Sequence, residues 1–127
     1  MRLLFDTHAF IWWDGDPAKL SPRVLALCKD STNELVLSVA SAWEMQIKML
    51  LGKLHLRLPL KDAIAAQQAD GIGILPVTLA HVYELQNLPR HHSDPFDRLL
   101  IAQARVEGVS LISHDRVFAS YPVNVIW

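Results

Sequence analysis

Four carboxylates in this chain, Asp6, Glu44, Asp97 and Asp115, stand where a fold could gather them. Asp6 ends the apolar run Leu3-Leu4-Phe5, and Asp115 lies just past Val109-Ser110-Leu111-Ile112. Glu44 and Asp97 fall inside helical patterns. If they converge, two carboxylates ~4 Å apart repel by roughly 4 kcal/mol at an effective dielectric near 20, so the cluster must take up protons or bind a cation. All-oxygen ligands select hard ions, Mg²⁺ or Mn²⁺, over zinc or copper. Such an ion lowers the pKa of water and neutralises charge on a phosphodiester. The chemistry these residue types point to is hydrolysis of a phosphodiester.

Each acid also has a purely structural reading. Asp6 and Asp115 are placed to cap the helices that follow them. Glu44 has the form of an ordinary exposed helix glutamate, yet Val39, Ala40, Ala42, Trp43, Met45 and Ile47 leave little polar face around it. Asp94 precedes Pro95, so it is the natural N-cap of its helix. Asp97 then falls at the third helical position, where an acid favours the helix dipole. One acid suffices for capping, which leaves the second available for chemistry.

The elements that must position these acids follow from the apolar pattern. Strands are expected at 2–5, 35–37, 74–77, 109–112 and 123–126. Pro76 puts the third near a sheet edge. Helices are expected from 8–13, over 22–30 behind the cap Ser21 and Pro22, and from the cap Ser38 to about Leu51, with Gly52 as its stop. Others span 60–70, the stretch from the cap Thr78 to about Leu88, the stretch from Asp94 to Glu107 before Gly108, and a short piece at 115–119. Short apolar strands separated by helices mean a parallel sheet covered on both faces. Sites in such sheets form beyond the carboxyl ends of the strands, where Asp6 and Asp115 fall.

The bulk composition narrows the partners. With 127 residues, 51% hydrophobic and 20% charged, the chain suits one compact domain over 1–127 and not disorder. A net charge of −1 argues against a broad electrostatic grip on duplex nucleic acid. Cys28 is the lone cysteine, which excludes an internal disulfide or a cysteine zinc site and fits a reducing compartment. Met1-Arg2-Leu3-Leu4-Phe5 opens like a secretory leader, but Asp6, His8 and Asp14 interrupt it. No apolar stretch approaches the ~20 residues that cross a bilayer, so the cytoplasm is expected.

At this level the chain resembles the PIN-domain ribonucleases, specifically the VapC toxins of prokaryotic type II toxin–antitoxin systems. The segments that carry the resemblance are Leu4-Phe5-Asp6-Thr7-His8, Ser38-Val39-Ala40-Ser41-Ala42-Trp43-Glu44, His92-Ser93-Asp94-Pro95-Phe96-Asp97-Arg98 with Leu99 to Ala104, and Ser113-His114-Asp115. The Asp-Pro-Phe-Asp-Arg segment is the most specific. The resemblance implies a Rossmann-like three-layer α/β/α sandwich with a central parallel sheet of four to five strands. It implies RNA cleavage with Mg²⁺ or Mn²⁺, with Asp6, Glu44, Asp97 and Asp115 as the metal-site acids and Thr7 and Ser113 as supporting hydroxyls. It also implies a cognate antitoxin and a homodimer. Trp12, Trp13, Trp43 and the Met45–Leu51 stretch offer apolar area for such contacts, although core packing is the commoner fate of such residues.

Other residues also have types that could do chemistry. The six histidines show no helical His-x-x-x-His pair, so a histidine metal site is not expected. Arg90, His91, His92 and Arg98 cluster before the Asp97 helix and are suited to gripping RNA phosphates. Gly71-Ile72-Gly73 is too short for a nucleotide fingerprint. Two rival functions remain at this level. A phosphoacceptor signalling domain needs a lysine at a late strand end, and Lys19, Lys29, Lys48, Lys53 and Lys61 do not supply one. A non-catalytic PIN-like module that binds an antitoxin or nucleic acid has no such objection against it.

Overall fold

The computed structural model describes residues 1–127. Its elements run β1 (Arg2–Phe5), α1 (Thr7–Gly15), α2 (Pro22–Lys29), β2 (Glu34–Ser38), α3 (Val39–Leu50), α4 (Leu60–Ala69), β3 (Gly73–Leu75), α5 (Leu79–Glu84), α6 (Pro95–Glu107), β4 (Ser110–Ile112) and β5 (Val125–Ile126). Single 3₁₀ turns occupy Pro17–Lys19, Leu85–Asn87 and Arg116–Ser120. The five strands form one all-parallel sheet in the order β3-β2-β1-β4-β5. Both edge strands are very short, which limits the unpaired edge offered to other chains.

The period-2 geometry of the strands splits the core in two. Leu3, Phe5, Leu35, Leu37 and Ile112 face one side, where Phe10 of α1, Val24 of α2 and Met45 of α3 cover them. Leu4, Val36, Leu75 and Leu111 face the other, against Leu100, Ile101 and Ala104 of α6. Helices therefore cover both faces of a parallel sheet, giving an α/β/α sandwich.

Helix ends follow local chemistry. Ser21, Ser38, Thr78 and Asp94 each accept a backbone N–H at the start of a helix. Gly108 stops α6 with φ at +65°, a left-handed conformation that costs a glycine little. One expected helix is shorter than its sequence pattern. The stretch after Thr78 leaves α-geometry at Glu84 and tightens into a 3₁₀ turn, because Leu88 precedes Pro89 and is held extended, with ψ at 137°. The expectation of core packing for Trp43 is also corrected. It is 60% exposed and meets Phe96 edge-on, and Leu50 and Leu51 are likewise exposed, while Met45 alone of that stretch is wholly buried. No helix is long and apolar enough to cross a membrane.

A buried polar chain ties α3 to α6. The Ser38 hydroxyl donates to Gln103 Oε1 at 2.5 Å, and Gln103 Nε2 donates to the Pro76 carbonyl. Gln103 Nε2 also lies 3.4 Å from Nδ1 of His81. That Nδ1 accepts the Thr78 amide, so the proton sits on Nε2 and is shared with Glu107 at 3.0 Å. Ser38, Gln103 and His81 are wholly buried. Replacing Gln103 with leucine keeps its bulk but strands the Ser38 hydroxyl and the Pro76 carbonyl. We expect this substitution to destabilise the fold by about 2–3 kcal/mol, read as a melting temperature lower by roughly 10 °C. An unchanged melting temperature would show that the chain of bonds contributes nothing.

Candidate active site

The strand order reverses between β1 and β4, and the crevice beyond their carboxyl ends is where open α/β sheets hold their ligands. Asp6 is the first residue after β1. Its amide donates to the Ile112 carbonyl at 2.9 Å, which fixes it beside the end of β4. Its Oδ1 caps α1 by accepting Ala9 N at 2.8 Å, and its Oδ2 accepts the Ser113 hydroxyl at 2.6 Å. The same Ser113 oxygen accepts the amide of Asp115. Asp115 in turn caps the 3₁₀ turn through Val117 N at 3.0 Å and is exposed. Capping and placement at the cavity are thus both true of Asp6 and Asp115.

Glu44 sits inside α3, buried to 8% exposure, because that helix face turns toward α1 instead of solvent. Its Oε1 accepts the Thr7 hydroxyl at 2.6 Å, and its Oε2 lies 3.3 Å from Lys48 Nζ, one helical turn on. Asp97 is the third residue of α6. Asp94 takes the capping role, accepting Phe96 N and Asp97 N. The Asp97 carboxylate is left to face His92, whose Nε2 lies 2.8 Å from its Oδ2.

All four acids line one cavity of about 780 Å³, together with Thr7, His8, Trp12, Lys48, His92, Asp94, His114, Arg116 and Phe118. They share the cavity without forming a single ligand sphere. The one grouping of three ligand-type side chains within 4.8 Å is His92, Asp94 and Asp97. Asp6 and Glu44 are drawn toward the donors of Ser113, Ala9, Thr7 and Lys48, and that spreads the carboxylates around the rim and floor. Desolvation pushes the Asp97 carboxyl up to about 6, against the His92 hydrogen bond, with Asp94 and Glu44 adding repulsion. Burial likewise raises Asp6, outweighing its hydroxyl and amide donors, and the charge of Asp115 adds to the rise. Five carboxylates thus face two permanent cations, Lys48 and Arg116. Oxygen donors with a shortage of counter-charge suit a hard divalent cation.

Residues with no expected part at the site also meet the cavity. Lys48 follows Glu44 by four, a spacing readable as a helical ion pair. His8 and His114 each stand within two residues of an expected acid. The expected basic group fares unevenly. Arg90, His91, His92, Ser93 and Arg98 line a second hollow of about 550 Å³, which shares His92 with the first. Arg98 lines this hollow and also braces its own loop. Its guanidinium donates to the Pro89 carbonyl at 2.8 Å and lies near the His92 and Leu85 carbonyls and the Tyr121 hydroxyl. Arg90 remains exposed, and His92 is paired with Asp97.

The chain as a whole is similar to known proteins. The family model described as PIN domain matches residues 3–124. Ribonuclease VapC22 of Mycobacterium tuberculosis (strain ATCC 25618 / H37Rv) is 27% identical over 129 residues, covering 97% of each chain. VapBC2 from Rickettsia felis, solved bound to a DNA fragment from its promoter, superposes with a TM-score of 0.75 at 14% identity, covering 99% of this chain and 98% of that one. FitAB bound to the IR36 DNA fragment gives 0.67 at 20% identity, covering 98% and 93%.

The raised Asp97 carboxyl has a measurable cost in the absence of metal. A carboxyl whose folded pKa lies above its unfolded value stabilises the fold most when protonated. That contribution is intact below about pH 4 and is lost as pH rises through about 6. In chelator, Asp97→Asn should therefore melt roughly 5 °C above the wild type at pH 8, and the gap should close at pH 4. A gap that is absent at pH 8, or that persists unchanged at pH 4, would remove the desolvated charge as its cause.

Proposed function

This chain belongs to the PIN domain family, and we propose that it is a metal-dependent endoribonuclease, the toxin of a type II toxin–antitoxin pair neutralised by a cognate antitoxin. The observation that carries this reading is the set of four carboxylates from distant parts of the chain lining one cavity at the strand-order switch. The similarity to the mycobacterial ribonuclease supports it. Two structural neighbours, VapBC2 and FitAB, are each bound to DNA, which supports an assembly with a DNA-bound partner. We place the activity in a single PIN domain over 1–127, acting in the cytoplasm.

Asp6, Glu44, Asp97 and Asp115 would hold Mg²⁺ or Mn²⁺. An ion bound there supplies charge neutralisation at the phosphodiester and activation of water. The chain's own residues do the rest. Thr7 and Ser113 hold the Glu44 and Asp6 carboxylates in place through 2.6 Å hydroxyl bonds. Lys48 and His92 pair with Glu44 and Asp97, so two of the acids already have a side-chain partner. Arg90 and His92 line the adjoining hollow, on a path suited to the RNA backbone. The exposed apolar side chains Trp43 and Leu50 on α3, Leu51 just past it, and Leu79, Val82 and Tyr83 on α5 give area for a homodimer or an antitoxin.

The test is ion-dependent cleavage. Purified protein should cut structured RNA in Mn²⁺ and not in chelator. Asp97→Asn should keep its fold and lose roughly 100-fold or more in rate. Mn²⁺ should raise the melting temperature of the wild type by mass action and leave that of the variant unmoved. No ion-dependent cutting would favour a non-catalytic module that binds an antitoxin or nucleic acid.

A further inference from the structure

The wall of the acid cavity beside β1, β4 and β5 is aromatic. Trp12 and Phe118 are the hydrophobic side chains that line the cavity, and Phe118 is committed to the core at 1% exposure. Trp12 is half-buried, packs in part against the core beneath α1, and borders the space. It is held by neighbours on several sides. Trp127 meets it at 5.7 Å and 60°, His114 at 6.2 Å and 61°, and His8 at 6.1 Å and 47°. His114 and Trp127 contact each other at 5.1 Å, which closes the cluster. His8 and His114 are exposed, and Arg116, one residue past Asp115, also lines the cavity.

This cluster is tied to the acids by short stretches of backbone. His8 and Trp12 share a face of α1, the helix that Asp6 caps, and His114 lies between Ser113 and Asp115. We propose that Trp12, flanked by His8 and His114, is a stacking platform for an unpaired base of a single-stranded RNA whose backbone lies over the carboxylates. Every base has a π-face, and aromatic side chains on a rigid support recognise it without reading sequence. Arg116 sets a positive charge, and the two histidines set ring N–H donors, against the phosphate that must approach a negative cavity. An apolar peptide is a poorer fit, because it needs contiguous apolar area and the remaining liners on this wall are polar or charged. Duplex RNA is excluded as the stacking partner because its base faces are covered. The inference rests on the ribonuclease reading above and names a side chain that would position that substrate.

A double-mutant cycle between protein and RNA tests it. A fluorescent single-stranded octaribonucleotide and a version with one abasic position are titrated against wild type, Trp12→Phe, Trp12→Leu and His114→Ala in Ca²⁺, and cleavage is followed separately in Mn²⁺. Trp12→Leu should weaken binding about tenfold, and Trp12→Phe should stay within about threefold of wild type. The abasic position that most weakens wild type should cost Trp12→Leu nothing further. His114→Ala, at an exposed site, should show an intermediate loss and covers the case in which Trp12→Leu fails to fold. Equal binding by all four proteins, absence of any RNA binding, or additive losses in the cycle would each overturn the platform. Cleavage in Mn²⁺ alongside equal binding would leave the nuclease standing without it. Binding that depends on Trp12 with no cleavage would leave the platform and remove the nuclease.

Discussion

Taking like charges out of water beside one another is the constraint around which this fold is arranged. Asp6 and Asp97 both carry carboxyls raised by desolvation, and each feels neighbouring acids, Asp115 for the first and Asp94 and then Glu44 for the second. The protein offsets part of that cost with hydroxyls, helix-capping amides and two cations. Those donors hold the carboxylates in fixed orientations without cancelling their charge. What remains is a preference for positive charge at one end of the sheet.

Topology delivers the acids and buried packing keeps them there. The crevice between β1 and β4 receives Asp6 and Asp115 because each is placed just past a strand end. Glu44 and Asp97 arrive on helices that start from Ser38 and Asp94. Ser38 is bonded to Gln103, which lies on the same helix as Asp97. The beginning of α3 and the body of α6 are thereby fastened together, and the relative position of Glu44 and Asp97 follows from a contact remote from either. Hydrogen bonds buried away from water suit this purpose, since an unpaired partner is costly and slippage is penalised.

Much of this was readable from residue order. Apolar runs bounded by Ser, Thr, Asp and Gly signals gave strand and helix positions to within a residue or two, and Pro76 marked the edge strand. The end of α5 was less visible, because it is set by Leu88 meeting Pro89 and not by periodicity. Side-chain partners were the least accessible. Nothing in a one-dimensional pattern says that Arg98 turns back onto the carbonyls of its own loop, or that His92 reaches Asp97. Exposure of Trp43 was hidden for a similar reason: an apolar helix next to an acid reads as core, and only the packing of α3 shows which face is left outside. The aromatic wall was split among α1, the loop after β4 and Trp127, so no local motif announced it.

A direct measurement can decide whether the acid cavity is a cation site. Crystals soaked in Mn²⁺ and recorded near the manganese absorption edge should show an anomalous peak within coordination distance of oxygens from at least two of Asp6, Glu44, Asp97 and Asp115. A cavity without such a peak under saturating Mn²⁺, or a peak only at unrelated surface carboxylates, would contradict the reading of these residues as a metal centre.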